Sequence, residues 1–202
     1  MNREERIRNA IGPFVPEGTE VPLAEKIVRH RCHLTITRDR KTKAGDYRHP
    51  YGKNGHRISV NGSLNQYAFL ITLVHEMAHL VNWERHGRKV NPHGKEWKMA
   101  FQEEMTPFLR EDVFPTDILN QLRIHMQKPK SATVRDLELM RLLRSYDDPS
   151  DKVLLEDIPE NEEFQLGNKR FVKKEKLRKR YRCELVGTGR VYLVSAIAEV
   201  EV

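Results

Sequence analysis

Residues 66–86, QYAFLITLVHEMAHLVNWERH, constrain this chain more than any other segment. Phe69, Leu70, Leu73, Val74, Met77, Leu80 and Val81 recur at helical spacing, and Gly87 stands where such a helix would stop. The pattern predicts a long helix rooted in a core. Yet His75, Glu76 and His79 sit on adjoining turns in its middle. Ionisable groups on a buried helix are costly unless they are paired or bound. Either they are core or cap histidines with a solvated glutamate, or the chemistry of a site requires them there.

The spacing favours a site. Residues i and i+4 of a helix lie one above the other, so His75 and His79 can reach a single tetrahedral ion about 2 Å from each nitrogen. Glu76 is angled away from that line and can take a proton from a water at the ion. A third protein ligand is needed. His86 follows His79 by seven residues, which on a continuing helix is about 10 Å further along and too far. Asn82 stands where the extended form of the motif has glycine. Glu103 or Glu104 on the next predicted helix could supply a carboxylate. His93 could supply an imidazole instead, lying beyond the Gly87 break in a loop able to fold back over the first helix. Spacing alone leaves these open.

The rest of the chain reads as α+β. Short helices are predicted around Glu4 to Ile11 and Leu23 to His30. HLTITRD and RISVN read as strands, and TKAGDYRHPYGKNGH between them as strand ends around turns. Further helices follow over Gly94 to Phe108, Pro115 to Met126 and Thr133 to Arg144, the last opened by Ser131 or Thr133 as a cap. YDDPSDK is a polar linker. It divides an expected first domain, residues 1–148, from a second, residues 149–202, whose alternation and Gly-rich turns predict an antiparallel sheet of three or four strands.

Composition narrows the function classes. No apolar run approaches the roughly 18 residues of a membrane span, and the charged N-terminus lacks the apolar middle of a signal peptide. A cytoplasmic protein without membrane contact is expected. Two distant cysteines, Cys32 and Cys183, make neither a disulfide scaffold nor a Cys-rich zinc site, and read as reduced, partly buried thiols. The net charge of +7 permits contact with a polyanion. It is densest in KRFVKKEKLRKRYR, where Lys173, Lys174, Arg178 and Lys179 could neutralise phosphates and Phe171 and Tyr181 could stack. A solvated hairpin face with Phe171 in a small core is the plainer alternative.

LVHEMAHLVNWERHGRKVNPHGKEWKMAF resembles the core of the SprT-like zinc metallopeptidases, which include the Spartan proteases. The family pattern is His-Glu-x-x-His, a loop, then His-Gly-x-x-aromatic-Lys, met here by His75, Glu76, His79 and then His93 to Lys98. The likeness extends upstream to TKAGDYR and ISVNGSLN. It implies a zincin-like domain, with a short antiparallel sheet ahead of the motif helix and helices after it. It also implies that His93 is the third ligand to one Zn2+ per chain. The family's C-terminal module resembles a four-cysteine zinc ribbon, and here only Cys183 remains of it, with Val186 at the place of its partner. A ribbon-like sheet without a complete metal site is expected, packed on Phe164, Leu166, Val186 and Tyr192.

These features lead to a zinc-dependent endopeptidase of broad specificity as the first expectation. Its substrate is a protein or peptide, and Glu76 is the catalytic base. Because Spartan-type proteases act on proteins linked to DNA, the resemblance extends the expectation to DNA-associated substrates. Tyr47, Arg48 and Tyr51 are candidates to stabilise the oxyanion, and nothing in the sequence chooses among them. The competing reading is a nucleic-acid-associated binding protein whose zinc site is structural or vestigial. Glu76 argues against it, because a structural site does not need that carboxylate.

Overall fold

The computed structural model describes residues 1–38, 43–130 and 136–202. These form two compact units, Met1–Asp147 and Asp148–Val202.

The first unit is built around one buried helix. Helices α1 (Arg3–Ile11) and α2 (Glu20–Arg29) lead into strands β1 (His33–Thr37), β2 (Gly45–Arg48) and β3 (Arg57–Asn61). Then come α3 (Gln66–His86), α4 (Lys95–Met105), α5 (Thr116–Gln127) and α6 (Leu137–Arg144). The expected caps Ser131 and Thr133 lie outside the described residues. Asn65 caps α3, its Oδ1 accepting from the N–H groups of Tyr67 and Ala68 at 3.1 and 3.0 Å. At the other end Gly87 adopts φ 61°, which a side chain would resist, and its N–H donates to the Trp83 carbonyl. Between the caps, Leu70, Leu73, Val74, Met77 and Leu80 are buried together with Trp97 and Phe101 of α4.

The sheet departs from the expected antiparallel arrangement. Its order is β1-β3-β2, with β2 antiparallel to β3 but β1 parallel to β3. β2 and β3 form a hairpin, and β3 inserts between β2 and β1, so it must run the same way as β1. Apolar alternation is the same in both pairings and could not tell them apart. Ile58 and Val60 of β3 point into the core, and β2 is left as an edge strand.

In the second unit β5 (Glu163–Leu166), β6 (Lys169–Leu177), β7 (Arg180–Leu185) and β8 (Val191–Ser195) make a four-stranded antiparallel sheet. Strands β4 (Val153–Leu154) and β9 (Glu199–Val200) pair separately. The core holds Phe164, Phe171, Tyr181, Cys183 and Val194, with Leu166 packed against it. Val186 and Tyr192 do not belong to it as expected, being 41% and 36% exposed. Val186 has passed the end of β7 into a turn with Gly187 and Gly189 at positive φ, and Tyr192 lies on the edge strand β8.

Candidate metal centre

The i, i+4 spacing on α3 stacks His75 and His79, whose ring centroids are 5.1 Å apart. The chain after α3 turns back at Gly87 and again over Asn91–Gly94, where the Gly94 N–H donates to the Asn91 carbonyl at 3.0 Å. This brings His93 to 5.6 Å from His75 and 4.6 Å from His79, ring to ring. One ligand atom from each of the three lies within 4.8 Å of the others. Trp97, fully buried on the first turn of α4, packs against all three rings at 4.7 to 5.2 Å. Glu103 and Glu104 are engaged elsewhere, in ion pairs with Arg85 at 2.7 Å and Lys26 at 2.6 Å.

Electrostatics suit the cluster to a cation. Burial pushes the His75 imidazole down to about 3, and the neighbouring His79, His93 and His125 add to the effect. Burial and His93 push His79 down to about 4. Both rings are therefore neutral at ordinary pH and keep a lone pair for a metal. Three imidazoles that share one locus match the donor set of catalytic zinc sites.

Glu76 is 8% exposed and lines the same cleft, of about 930 Å³, as the three histidines. Its place depends on a residue that pattern reading passed over. A Cβ on Gly45 of β2 would lie 2.7 Å from Glu76 Oε1 and from Thr72 Cγ2. Only glycine lets the edge strand approach the carboxylate this closely. Sequence offered a weak signal here, a glycine inside a strand.

Of the three oxyanion candidates, Tyr47 lies beside the centre. It lines the cleft with its ring parallel to His79, centroids 6.2 Å apart, and its hydroxyl meets His56 Nδ1 at 2.9 Å. His56 in turn lies 3.5 Å from Glu84, whose other oxygen meets His30 at 2.8 Å. Burial holds the Tyr47 hydroxyl well above the usual phenol range. Arg48 is exposed and paired with Asp46, and Tyr51 is 74% exposed. Asn82, at the place of the extended motif's glycine, is buried on the cleft lining, and its Oδ1 has no hydrogen-bond partner among the described residues.

The basic run divides. Lys173 is only 3% exposed: it donates to the Glu156 and Ile158 carbonyls, with its ammonium 4.1 Å from the Tyr181 ring centre. It is therefore an interior residue and not part of a phosphate-binding stripe. Phe171 and Tyr181 are likewise buried and offer no stacking surface. Lys174 bonds Asn161 and faces Glu184 at 3.7 Å. Arg178 and Lys179 are exposed in the two-residue turn between β6 and β7. Both cysteines are buried and unpaired, and burial pushes each thiol up to about 11, so neither is a ready thiolate.

Against known families, the SprT-like family model matches residues 17–117, half of the chain. The chain belongs to the SprT-like family. No curated protein and no solved structure matches it. The matched stretch of this SprT-like protein runs from just before α2 to the start of α5 and contains the whole histidine cluster. Membership makes the first unit a metallopeptidase-like domain. Among the described residues no helix is long and apolar enough to cross a membrane.

Proposed function

We propose that this SprT-like protein is a zinc-dependent endopeptidase. The observation that carries the reading is the meeting of three imidazoles with a buried carboxylate in one cleft beside an edge strand. His75, His79 and His93 would hold the ion. Zinc, when bound, supplies Lewis acidity, polarising a carbonyl and acidifying a water. Glu76 accepts the proton that water loses as its oxygen adds to the scissile carbonyl carbon. It returns that proton to the amine nitrogen as the C–N bond breaks. The free edge of β2 can pair with an extended substrate, a mode that reads backbone more than side chains. Tyr47, beside His79, is the best placed of the three candidates to meet the developing oxyanion.

The test is Glu76→Gln in the zinc-loaded protein. Metal content should stay at one zinc per chain, while cleavage of an unfolded protein falls by about 10²–10⁴-fold. If the zinc-loaded wild type cleaves no unfolded or DNA-bound protein, the reading is lost. Retained zinc without any cleavage would favour the binding-protein alternative.

DNA contact belongs to the same proposal. Its support has moved to the hairpin turn, where Arg178 and Lys179 are exposed. Neutralising these two should weaken salt-dependent DNA binding, whereas Lys173→Ala should act on stability. Equal effects of all three on DNA affinity would argue against this division.

A further inference from the structure

Beyond the histidines the cleft is not uniform along its length. β2 and α3 run side by side, with Gly45 against Thr72 and Glu76, Tyr47 against His79, and His49 stacked on Trp83 at 4.2 Å. The end near Trp83 is aromatic and charged, with Arg88 over the Trp83 ring. Lys43 also lines the cleft but gives its ammonium to Asp46 at 2.8 Å, and the opposite end is lined by Leu64, Ala68, Ile71, Met140 and Leu143. The last two come from α6, which lies outside the residues matched by the family model.

The apolar end is also held in shape. Asn65, while capping α3 through Oδ1, donates from Nδ2 to the Leu143 carbonyl at 2.7 Å. One side chain thus ties the first turn of the cleft floor to the α6 wall. A preformed apolar recess beside a reaction centre selects an apolar group, because a charged one would lose its hydration there without gaining a partner.

We infer that this end of the cleft is a subsite for one apolar side chain of an extended peptide substrate, with Met140 as its size-determining wall. The inference rests on the peptidase reading above. Thr72 and Ala68 precede Glu76 by four and eight residues, about 6 and 12 Å along the helix. An extended chain advances about 3.3 Å per residue. The residue whose side chain enters the recess is therefore about two to four positions from the bond that breaks. Leu, Ile, Met and Phe fit; Asp, Glu and Lys do not.

The experiment is a digest of an unfolded protein by the zinc-loaded full chain, with cleavage sites mapped by mass spectrometry. Apolar residues should be enriched at one fixed position, about two to four residues to one side of the cut. Met140→Trp, which fills the recess, should lower kcat/KM for such peptides by about tenfold or more while leaving alanine-bearing peptides within about twofold. Met140→Lys should shift the preference toward acidic residues at that position. Unchanged zinc content and melting temperature establish that both variants fold. Cleavage without a fixed apolar preference, or a preference untouched by both variants, overturns the subsite and leaves the peptidase reading standing. If nothing is cleaved, the peptidase reading falls, and peptide binding to zinc-loaded Glu76→Gln decides the subsite. Tighter binding of leucine-bearing than aspartate-bearing peptides, lost in the Met140→Trp background, supports it; equal binding overturns it.

Discussion

Gly45 shows how much one missing side chain can control. Its Cα faces Glu76 across a gap that a methyl group would close to 2.7 Å from both Glu76 Oε1 and Thr72 Cγ2. Thr72 is β-branched on a helix and has little freedom to turn away. Gly45→Ala should therefore push β2 off α3 or displace the Glu76 carboxylate. A displacement of about 1 Å at a reacting group costs up to about 10²-fold in rate. The expected outcome is a loss of kcat/KM of that order with zinc content unchanged, measured side by side with Glu76→Gln. At this scale the sequence was partly legible. His75 and His79 follow from helical spacing, but His93 was one of several candidates on spacing alone and stood out only through family likeness. Gly45 could not be singled out, because its role exists only once a strand lies against the helix.

At the scale of elements, α3 and α6 are joined through Asn65. Asn65→Ala removes the α3 cap and the bonds from Nδ2 to the Leu143 carbonyl and the Asp147 carboxylate, whereas Asn65→Asp keeps the cap acceptor, loses the donor and sets a second carboxylate against Asp147. The alanine variant should lose about 1 kcal/mol from the cap and about as much again from the bond to α6. The aspartate variant should keep the first part, lose the second, and lose more near neutral pH than in acid because its carboxylate faces that of Asp147. Chemical denaturation of both variants checks the division. The start of α6 carries a second joint, Asp136, which meets His125 of α5 at 2.8 Å and Lys130 at 3.1 Å. Burial pushes its carboxyl up, but the bonds from His125 and Lys130 outweigh burial and hold it below the usual carboxylate range. Its contribution to stability is therefore present above about pH 3.9 and lost as pH falls through the depressed value. Asp136→Asn should lower the melting temperature near neutrality and flatten its decline below about pH 4. The helices were visible in the apolar periodicity. The parallel β1–β3 pair was not, because register and direction depend on which strand inserts between which.

For the whole molecule, metal content tests both units at once. One zinc per chain is expected, lost in His93→Ala, because the second unit has Cys183 where a ribbon would need four cysteines. Two zincs per chain would contradict that reading. Chelation should lower the melting temperature of the unit Met1–Asp147 and leave that of Asp148–Val202 unchanged, as binding stabilises only the fold that holds the ligand. Calorimetry of the full chain with and without chelator reads both transitions. Lys173 belongs to this scale as well. A run of cations looks uniform in sequence, yet the pleat turned this one inward, where two carbonyls and the Tyr181 ring satisfy its charge.

Local periodicity by itself determined the motif helix, its ends, two stacked imidazoles and the carboxylate beside them, because these depend on neighbours within a few turns. What needed tertiary structure was everything set by chain segments meeting from afar. The return of His93 over α3, the approach of Gly45 to Glu76, the placing of Tyr47 on the cleft lining, and the apolar wall from α6 are all of this kind. Burial and direction in space are properties of the packed chain, and no spacing rule within one segment encodes them.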